Sequence, residues 1–136
     1  MIKILLCCGG GFSSSALSNK IKKEIIENKM ENDYYIEFSP FSLAPSKMSE
    51  FDITVCCPHL KFDVDKMIKD LNPNKPIYIL PPVMYGMMRF SELSLDTIDV
   101  IDLYNQNKIN PVCFPGEENI HRVKRGIAYR NTKKIL

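Results

Sequence analysis

Apolar positions along the chain follow two patterns, short uninterrupted runs and longer stretches in which they recur every three or four residues. The short runs occupy residues 3–7, 34–39, 52–57 and 77–80. Each run is closed by glycine or proline, at Gly9, Pro40, Pro58 and Pro81. Because runs of this length with such boundaries are typical of buried strands, we predict four β-strands.

The longer stretches predict helices between these strands. Leu17, Ile21 and Ile25 recur every four residues, opposite Lys22 and Lys23, as in an amphipathic helix. This helix should begin in the serine cluster at residues 13–15, since serine hydroxyls cap free backbone N–H groups, and end near residues 28–32. Similar patterns at residues 62–71 and 94–106 predict two further helices.

Strands that alternate with helices favour an α/β fold. We predict a four-stranded parallel open sheet in the order 2-1-3-4, with helices on both faces in three layers. The length of 136 residues suits one such unit.

The composition changes after residue 106. Residues 1–106 hold 11 Lys/Arg and 14 Asp/Glu, a net charge of −3, whereas residues 107–136 hold 7 and 2, a net charge of +5. We therefore divide the chain into a domain at 1–106 and a basic C-terminal extension at 107–136. The extension is expected to be solvated or packed on itself, with a wrapping arm and contact with anionic lipid as alternatives. It lacks a recognisable nucleic-acid motif, so no nucleic-acid partner is expected.

The chain shows no membrane or export signal. The uncharged stretch at residues 76–88 contains three prolines and falls short of the roughly 20 apolar residues of a spanning helix. Only residues 4–6 form an apolar run before the first cysteines, too few for a signal peptide. We expect a cytoplasmic protein. Its five cysteines, an odd number, favour reactive or buried thiols over a disulfide framework.

The chemistry is expected in residues 7–15, Cys-Cys-Gly-Gly-Gly-Phe-Ser-Ser-Ser, which follow the first strand. Open parallel sheets bind ligands beyond the carboxyl ends of their strands. Glycines let successive N–H groups turn inward, serines add donors, and the following helix contributes a partial positive charge. A phosphate or a thiolate suits such a loop, and a thiol at a helix N-terminus has a lowered pKa.

Cys8, Gly11, Ser13 and Ser15 form the pattern Cys-x-x-Gly-x-Ser-x-Ser. This loop resembles the active-site loop of the IIB proteins of the lactose/cellobiose branch of the sugar phosphotransferase system (PTS). The resemblance extends to the strand that ends at Pro58, to the Pro-Asn-Lys-Pro segment at 73–76 and to the Tyr-Gly pair at 85–86. Choosing Cys7 instead would place Gly11 and Phe12 where the family tends to have methionine and serine.

The resemblance implies that Cys8 accepts a phosphoryl group from a phosphohistidine on a IIA partner. The phosphate-binding loop would then comprise Gly9, Gly10, Gly11, Phe12, Ser13, Ser14 and Ser15. The phosphocysteine would pass its group to a cellobiose-, lactose- or chitobiose-type sugar on the membrane permease IIC, which would make membrane association transient. No cofactor and no metal are expected.

Three further residues are candidates to line this site, Pro58, His59 and Tyr85. His59 is equally consistent with a polar residue at a helix start. Two interpretations of Cys56 and Cys57 remain open. Either they are small buried hydrophobic side chains, or one of them joins Cys8 in a metal site or a disulfide. Met84, Met87 and Met88 suit core filling or a docking surface.

Two other classes of function remain as alternatives. Low-molecular-weight phosphatases and arsenate reductases also place a cysteine in such a loop, but the phosphatases need an arginine six residues later and an Asp-Pro general acid. The residue six after Cys8 is Ser14, the residue six after Cys7 is Ser13, and the chain contains no Asp-Pro. These absences disfavour a phosphatase. The other alternative is a non-catalytic thiol redox or metal-binding module.

Overall fold

A computed structural model describes residues 1–8, 14–87 and 89–132. Within these ranges, the side chains of residues 8, 14–18 and 121 are not described.

The strands form one parallel sheet. They are β1 (Ile2–Cys8), β2 (Tyr34–Pro40), β3 (Ile53–Cys56) and β4 (Ile77–Ile79). Their order is β2-β1-β3-β4, and all three neighbouring pairs are parallel. The predicted fold class and strand order are therefore confirmed, and every predicted strand boundary lies within one residue of the observed one.

Six helices accompany the sheet among the described residues. They are α1 (Ser14–Glu27), α2 (Ala44–Lys47), α3 (Lys61–Leu71), α4 (Pro82–Met87), α5 (Phe90–Asn107) and α6 (Tyr129–Thr132). Short 3-10 turns at Phe41–Leu43 and Met48–Glu50 flank α2, and others lie at Pro58–Leu60 and Ile120–Arg122.

The sheet is covered on both faces. Ile4 and Leu6 belong to one buried cluster with Ile21 of α1 and Val100 of α5. Leu5 and Cys7 belong to a second cluster with Val64 and Met67 of α3 and with Met48. Because successive residues of a strand point to opposite faces, a strand covered on both faces must be apolar on both, as β1 is from Ile4 to Cys7, and the three-layer arrangement follows.

Residues 108–132 run back over the sheet. Val112 and Phe114 are buried in the first cluster, and Ile120 in the second. The Val112 N–H donates to the Ile77 carbonyl at 2.8 Å, and Val112 forms an isolated parallel bridge with Tyr78 beside β4. Residues 108–132 therefore agree with the alternative of a wrapping arm and not with a solvated extension, because their apolar residues find burial on the sheet, and the arm also packs on itself where Phe114 stacks on Tyr129. Whether residues 1–106 form a domain by themselves stays a prediction.

Candidate functional site

The carboxyl ends of the four parallel strands meet at one edge of the sheet, and the candidate nucleophile lies there. Cys8 is the last residue of β1, and its backbone is in register with Pro40 at the end of β2. Helix α1 begins at Ser14. The predicted phosphate-binding residues 9–13 lie outside the described residues, as do the side chains of Cys8, Ser14 and Ser15. The described backbone thus brings a strand end and a helix N-terminus to the two ends of that loop.

Cys7, the neighbouring cysteine, is buried in the core. Its side chain has no exposed surface and packs in the cluster that contains Leu5 and Cys56. Its carbonyl accepts hydrogen bonds from the N–H and the thiol of Cys57, each at 3.3 Å. Since a thiol must be reached to react with another protein, this burial argues against Cys7 as the nucleophile.

Cys56 and Cys57 are also fully buried. Both belong to the apolar cluster on the α3 side of the sheet. This placement favours the interpretation of the two residues as small buried hydrophobic side chains. Among the described side chains, no three His, Cys, Asp or Glu residues lie close enough to hold a metal ion. A metal site or disulfide that includes Cys8 involves a side chain outside the described set.

The three predicted lining residues come together beyond the ends of β3 and β4. Pro58 is buried and opens the 3-10 turn after β3, and His59 in the same turn is exposed. The His59 ring meets the Tyr85 ring edge-on, with centroids 6.1 Å apart. Tyr85 lies on α4, which follows β4. Folding therefore places an imidazole and a phenol together at the same edge as Cys8.

Two of the methionines after β4 differ in exposure, and the third, Met88, lies outside the described residues. Met84 is only 3% exposed and fills the core, whereas Met87 is 39% exposed. Phe62, which follows the turn that holds His59, is 84% exposed. Met87 and Phe62 thus expose apolar surface to solvent on the elements that carry Tyr85 and follow His59.

Helix α1 and helix α4 are connected directly. The Lys20 ammonium donates to the Met87 carbonyl at 2.7 Å, and the Glu24 carboxylate accepts a hydrogen bond from the Phe90 N–H at 3.2 Å. The helix that follows the candidate loop is therefore linked to the segment that carries Tyr85.

A family model, "PTS system, Lactose/Cellobiose specific IIB subunit", matches residues 3–94. The chain belongs to this family. The matched region begins in β1 and ends within α5, so it includes Cys8, His59 and Tyr85 and excludes the arm formed by residues 108–132. Membership supports a role in the sugar phosphotransferase system, in which IIB subunits work with IIA and IIC components. No curated protein matches the chain.

No helix in the described part of this IIB subunit is long and apolar enough to cross a membrane.

A buried charge network in the IIB subunit was not predicted from the sequence. The Arg125 guanidinium, 7% exposed, pairs with Asp96 at 2.8 Å and with Glu117 at 2.7 Å, and the Asp96 side chain is completely buried. The Tyr78 hydroxyl donates to Asp96 at 2.7 Å and accepts from Arg125 at 2.8 Å. The only sign of this network in the sequence is an arginine in a basic segment. A solvated surface arginine has the same appearance in a sequence.

Burial dominates the ionisation of this network. Burial and the nearby Asp96 charge raise the pKa of Tyr78 well above its usual value. Burial also raises the pKa of Asp96, although Arg125 opposes the shift. For Arg125, burial would lower the pKa, but the hydrogen bond to Glu117 and the charges of Tyr78 and Asp96 raise it above its usual value. Arg125 therefore stays charged, and the tyrosine stays protonated at neutral pH.

Proposed function

We propose that this IIB subunit is a cytoplasmic phosphocarrier with Cys8 as the phosphoryl acceptor. The donor is a phosphohistidine on a IIA partner, and the final acceptor is a lactose-, cellobiose- or chitobiose-type sugar held by the membrane permease IIC. One observation carries the proposal. Cys8 ends β1 and α1 begins at Ser14, inside the region that matches the IIB family.

The chemistry needs only a nucleophile and an anion site. The Cys8 thiolate attacks phosphorus in line with the leaving nitrogen, an S–P bond forms, and the P–N bond of the phosphohistidine breaks. The leaving imidazole keeps the electron pair and takes up a proton. In the second transfer a sugar hydroxyl attacks the phosphorus, loses its proton, and the S–P electron pair returns to sulfur.

The loop and the helix supply the electrostatics in this proposal. Backbone N–H groups of residues 9–15 hold the phosphoryl oxygens, and the N-terminus of α1 favours both the thiolate and the bound phosphoryl group. His59 and Tyr85 form the rim that meets the partner. A carrier must keep its phosphoryl group from water, so the lack of an Asp-Pro general acid is consistent with storage and not with hydrolysis.

The test is phosphorylation in a reconstituted system. The protein is incubated with phosphoenolpyruvate, the general phosphotransferase proteins and a phosphorylated IIA, and its intact mass is measured. We expect one phosphoryl group on the unmodified chain and on Cys7→Ser, and none on Cys8→Ser. Cys113→Ser is the matched control, because Cys113 is exposed and lies outside the region that matches the family.

Labelling of Cys8→Ser at the normal level, or loss of labelling in Cys7→Ser, would contradict the assignment. Turnover of p-nitrophenyl phosphate or arsenate by the isolated protein would favour the enzyme alternative. Bound metal in the purified protein would favour a thiol-based metal module.

A further inference from the structure

Helix α4, which carries Tyr85, is held from several sides. Met84 anchors it in the core, and the Tyr85 ring meets His59. The Lys20 ammonium of α1 binds the Met87 carbonyl at its C-terminal end. Six residues are too few for an isolated helix to be stable, so these contacts determine where α4 lies.

Arg125 ties the C-terminal arm to α4. Its guanidinium donates to the Met84 sulfur at 3.0 Å and to the Tyr78 hydroxyl at 2.8 Å. The same group is oriented by the arm itself, through both Glu117 carboxylate oxygens and the Ile127 carbonyl. Because the planar Arg125 guanidinium binds the arm, α4 and β4 at once, a displacement of the arm also moves the group that contacts α4 and β4.

Gly126 lets the arm approach α4 closely. A β-carbon at this position would lie 2.9 Å from Cγ1 of Val83 and 3.2 Å from the sulfur of Met87. Gly126 does not have a positive φ, so alanine is compatible with its backbone. Among the described residues, the atoms nearest to a side chain at residue 126 therefore belong to the outer face of α4.

We propose that residues 108–132 form a strap that sets the position of α4, and with it Tyr85, at the carboxyl edge of the sheet. Arg125 and Gly126 are then positioning residues for phosphoryl transfer. The inference rests on the proposed function of Cys8. The family match ends at residue 94, so the strap lies outside the matched region. Small displacements of the groups that orient the reacting molecules can lower a reaction rate by large factors. A strap that sets the position of α4 would therefore affect the rate of phosphoryl transfer.

A purely stabilising arm and a positioning strap predict different results in Gly126→Ala. The added methyl group collides with the Val83 and Met87 side chains of α4 and so tests whether pressure from the arm displaces this helix, whereas Val83→Ala removes the carbon atom at 2.9 Å. We therefore compare the unmodified chain, each single variant and the Gly126→Ala/Val83→Ala double variant. Val83 is 42% exposed, so its truncation alone should leave the protein close to normal.

The position of α4 can be read from the His59 ring. The chain contains two histidines, His59 and His121, so its imidazole NMR spectrum has two sets of signals, which His121→Gln assigns. The Tyr85 ring lies edge-on to His59, and its ring current makes the His59 shift sensitive to any movement of α4. The second readout is the initial rate of phosphoryl transfer from phospho-IIA, and the third is the free energy of unfolding.

We expect Gly126→Ala to shift the His59 signals and to slow phosphoryl transfer about tenfold. The double variant should recover both the signals and the rate. A His59 signal and a rate that stay normal in Gly126→Ala would overturn the proposal. So would a slow rate that Val83→Ala fails to restore, because the effect would then not pass through α4.

A second pair of variants applies if Gly126→Ala fails to fold. Arg125→Lys keeps the charge but loses the planar set of donors. Arg130→Lys is its control, because Arg130 also pairs with a carboxylate of α5, Asp99, but in an exposed position. A shifted His59 signal and a slow rate in Arg125→Lys alone support the strap, and equal behaviour of the two variants contradicts it. If the unmodified chain accepts no phosphoryl group, the proposed function fails, and the His59 signals still report whether the arm positions α4.

Discussion

Two adjacent cysteines stand at the end of β1, and the sequence presents them as a pair. Cys7 has no exposed surface, and its carbonyl is engaged by Cys57. Cys8 is the residue at which β1 ends. The spacing of glycine and serine residues favours Cys8, and the burial of Cys7 independently supports the same choice. Spacing alone could not establish that burial, because it depends on Met48 and Ala44, which pack on this face from elsewhere in the chain.

The burial of these thiols predicts a pattern of alkylation. In the folded protein, iodoacetamide should leave Cys7, Cys56 and Cys57 unmodified and should label Cys113, which is exposed. Partial burial, with Glu118 and Glu117 nearby, raises the pKa of Cys113, so the labelling should be done at alkaline pH. Phosphorylation should in addition protect Cys8. Peptide mass spectrometry after timed labelling measures each site.

Unfolding the protein in guanidinium provides the control, since all five thiols should then react. Labelling of Cys7 in the folded protein as fast as Cys113 would contradict the described packing.

At the scale of elements, periodicity did not predict the short helices α2, α4 and α6 or the start of α5. Helix α5 begins at Phe90, four residues before the predicted start. Its N-cap residue Arg89 provides no side-chain cap, and Glu24 of α1 receives the Phe90 N–H instead. Helix α4 has Pro82 as its first residue, a position that proline favours, but its six residues are too short to show a period. A cap from a distant helix has no signature in the local sequence.

Two arginines that pair with α5 should differ strongly in their effect on stability. Arg125→Met leaves the completely buried Asp96 without its cation and should lower the free energy of unfolding by about 3 to 5 kcal/mol. Arg130→Met breaks an exposed pair with Asp99 and should cost about 1 kcal/mol or less. Urea unfolding followed by circular dichroism measures both variants. Equal losses would show that the buried network does not stabilise the fold.

At the scale of the whole molecule, the arm completes the core and covers one edge of the sheet. Strand β4 is at the end of the strand order, and Val112 and Asn110 bind its backbone at Ile77. Unpaired edge strands invite association with other chains, so this cover also protects the edge at β4 from such pairing. The net charge of +5 in residues 107–136 gave no indication of this role. A net charge follows from composition alone and does not show which residue each charged side chain contacts.

Removal of the arm should therefore destabilise the protein. A chain that ends at Asn107 loses the buried side chains of Val112, Phe114 and Ile120, each of which contributes about 1.5 to 3 kcal/mol. Because whole domains are stable by only about 5 to 15 kcal/mol, we expect a large fall in melting temperature or the loss of cooperative unfolding. Thermal unfolding of the two chain lengths, compared by circular dichroism, is the measurement. An unchanged melting temperature would instead show that residues 1–106 fold as an independent domain.

By itself the sequence determined the four strands, their parallel α/β arrangement and the choice of Cys8 as the candidate nucleophile. The first two depend on the pattern of apolar residues along the chain, and the third on the resemblance of one loop to the active-site loop of the IIB family. Tertiary structure alone decided the start of α5, the position of α4 and the burial of Arg125 against Asp96. These features arise from contacts between residues far apart in the chain, and a buried ion pair and a solvated charge look the same in a sequence until folding removes the water around one of them.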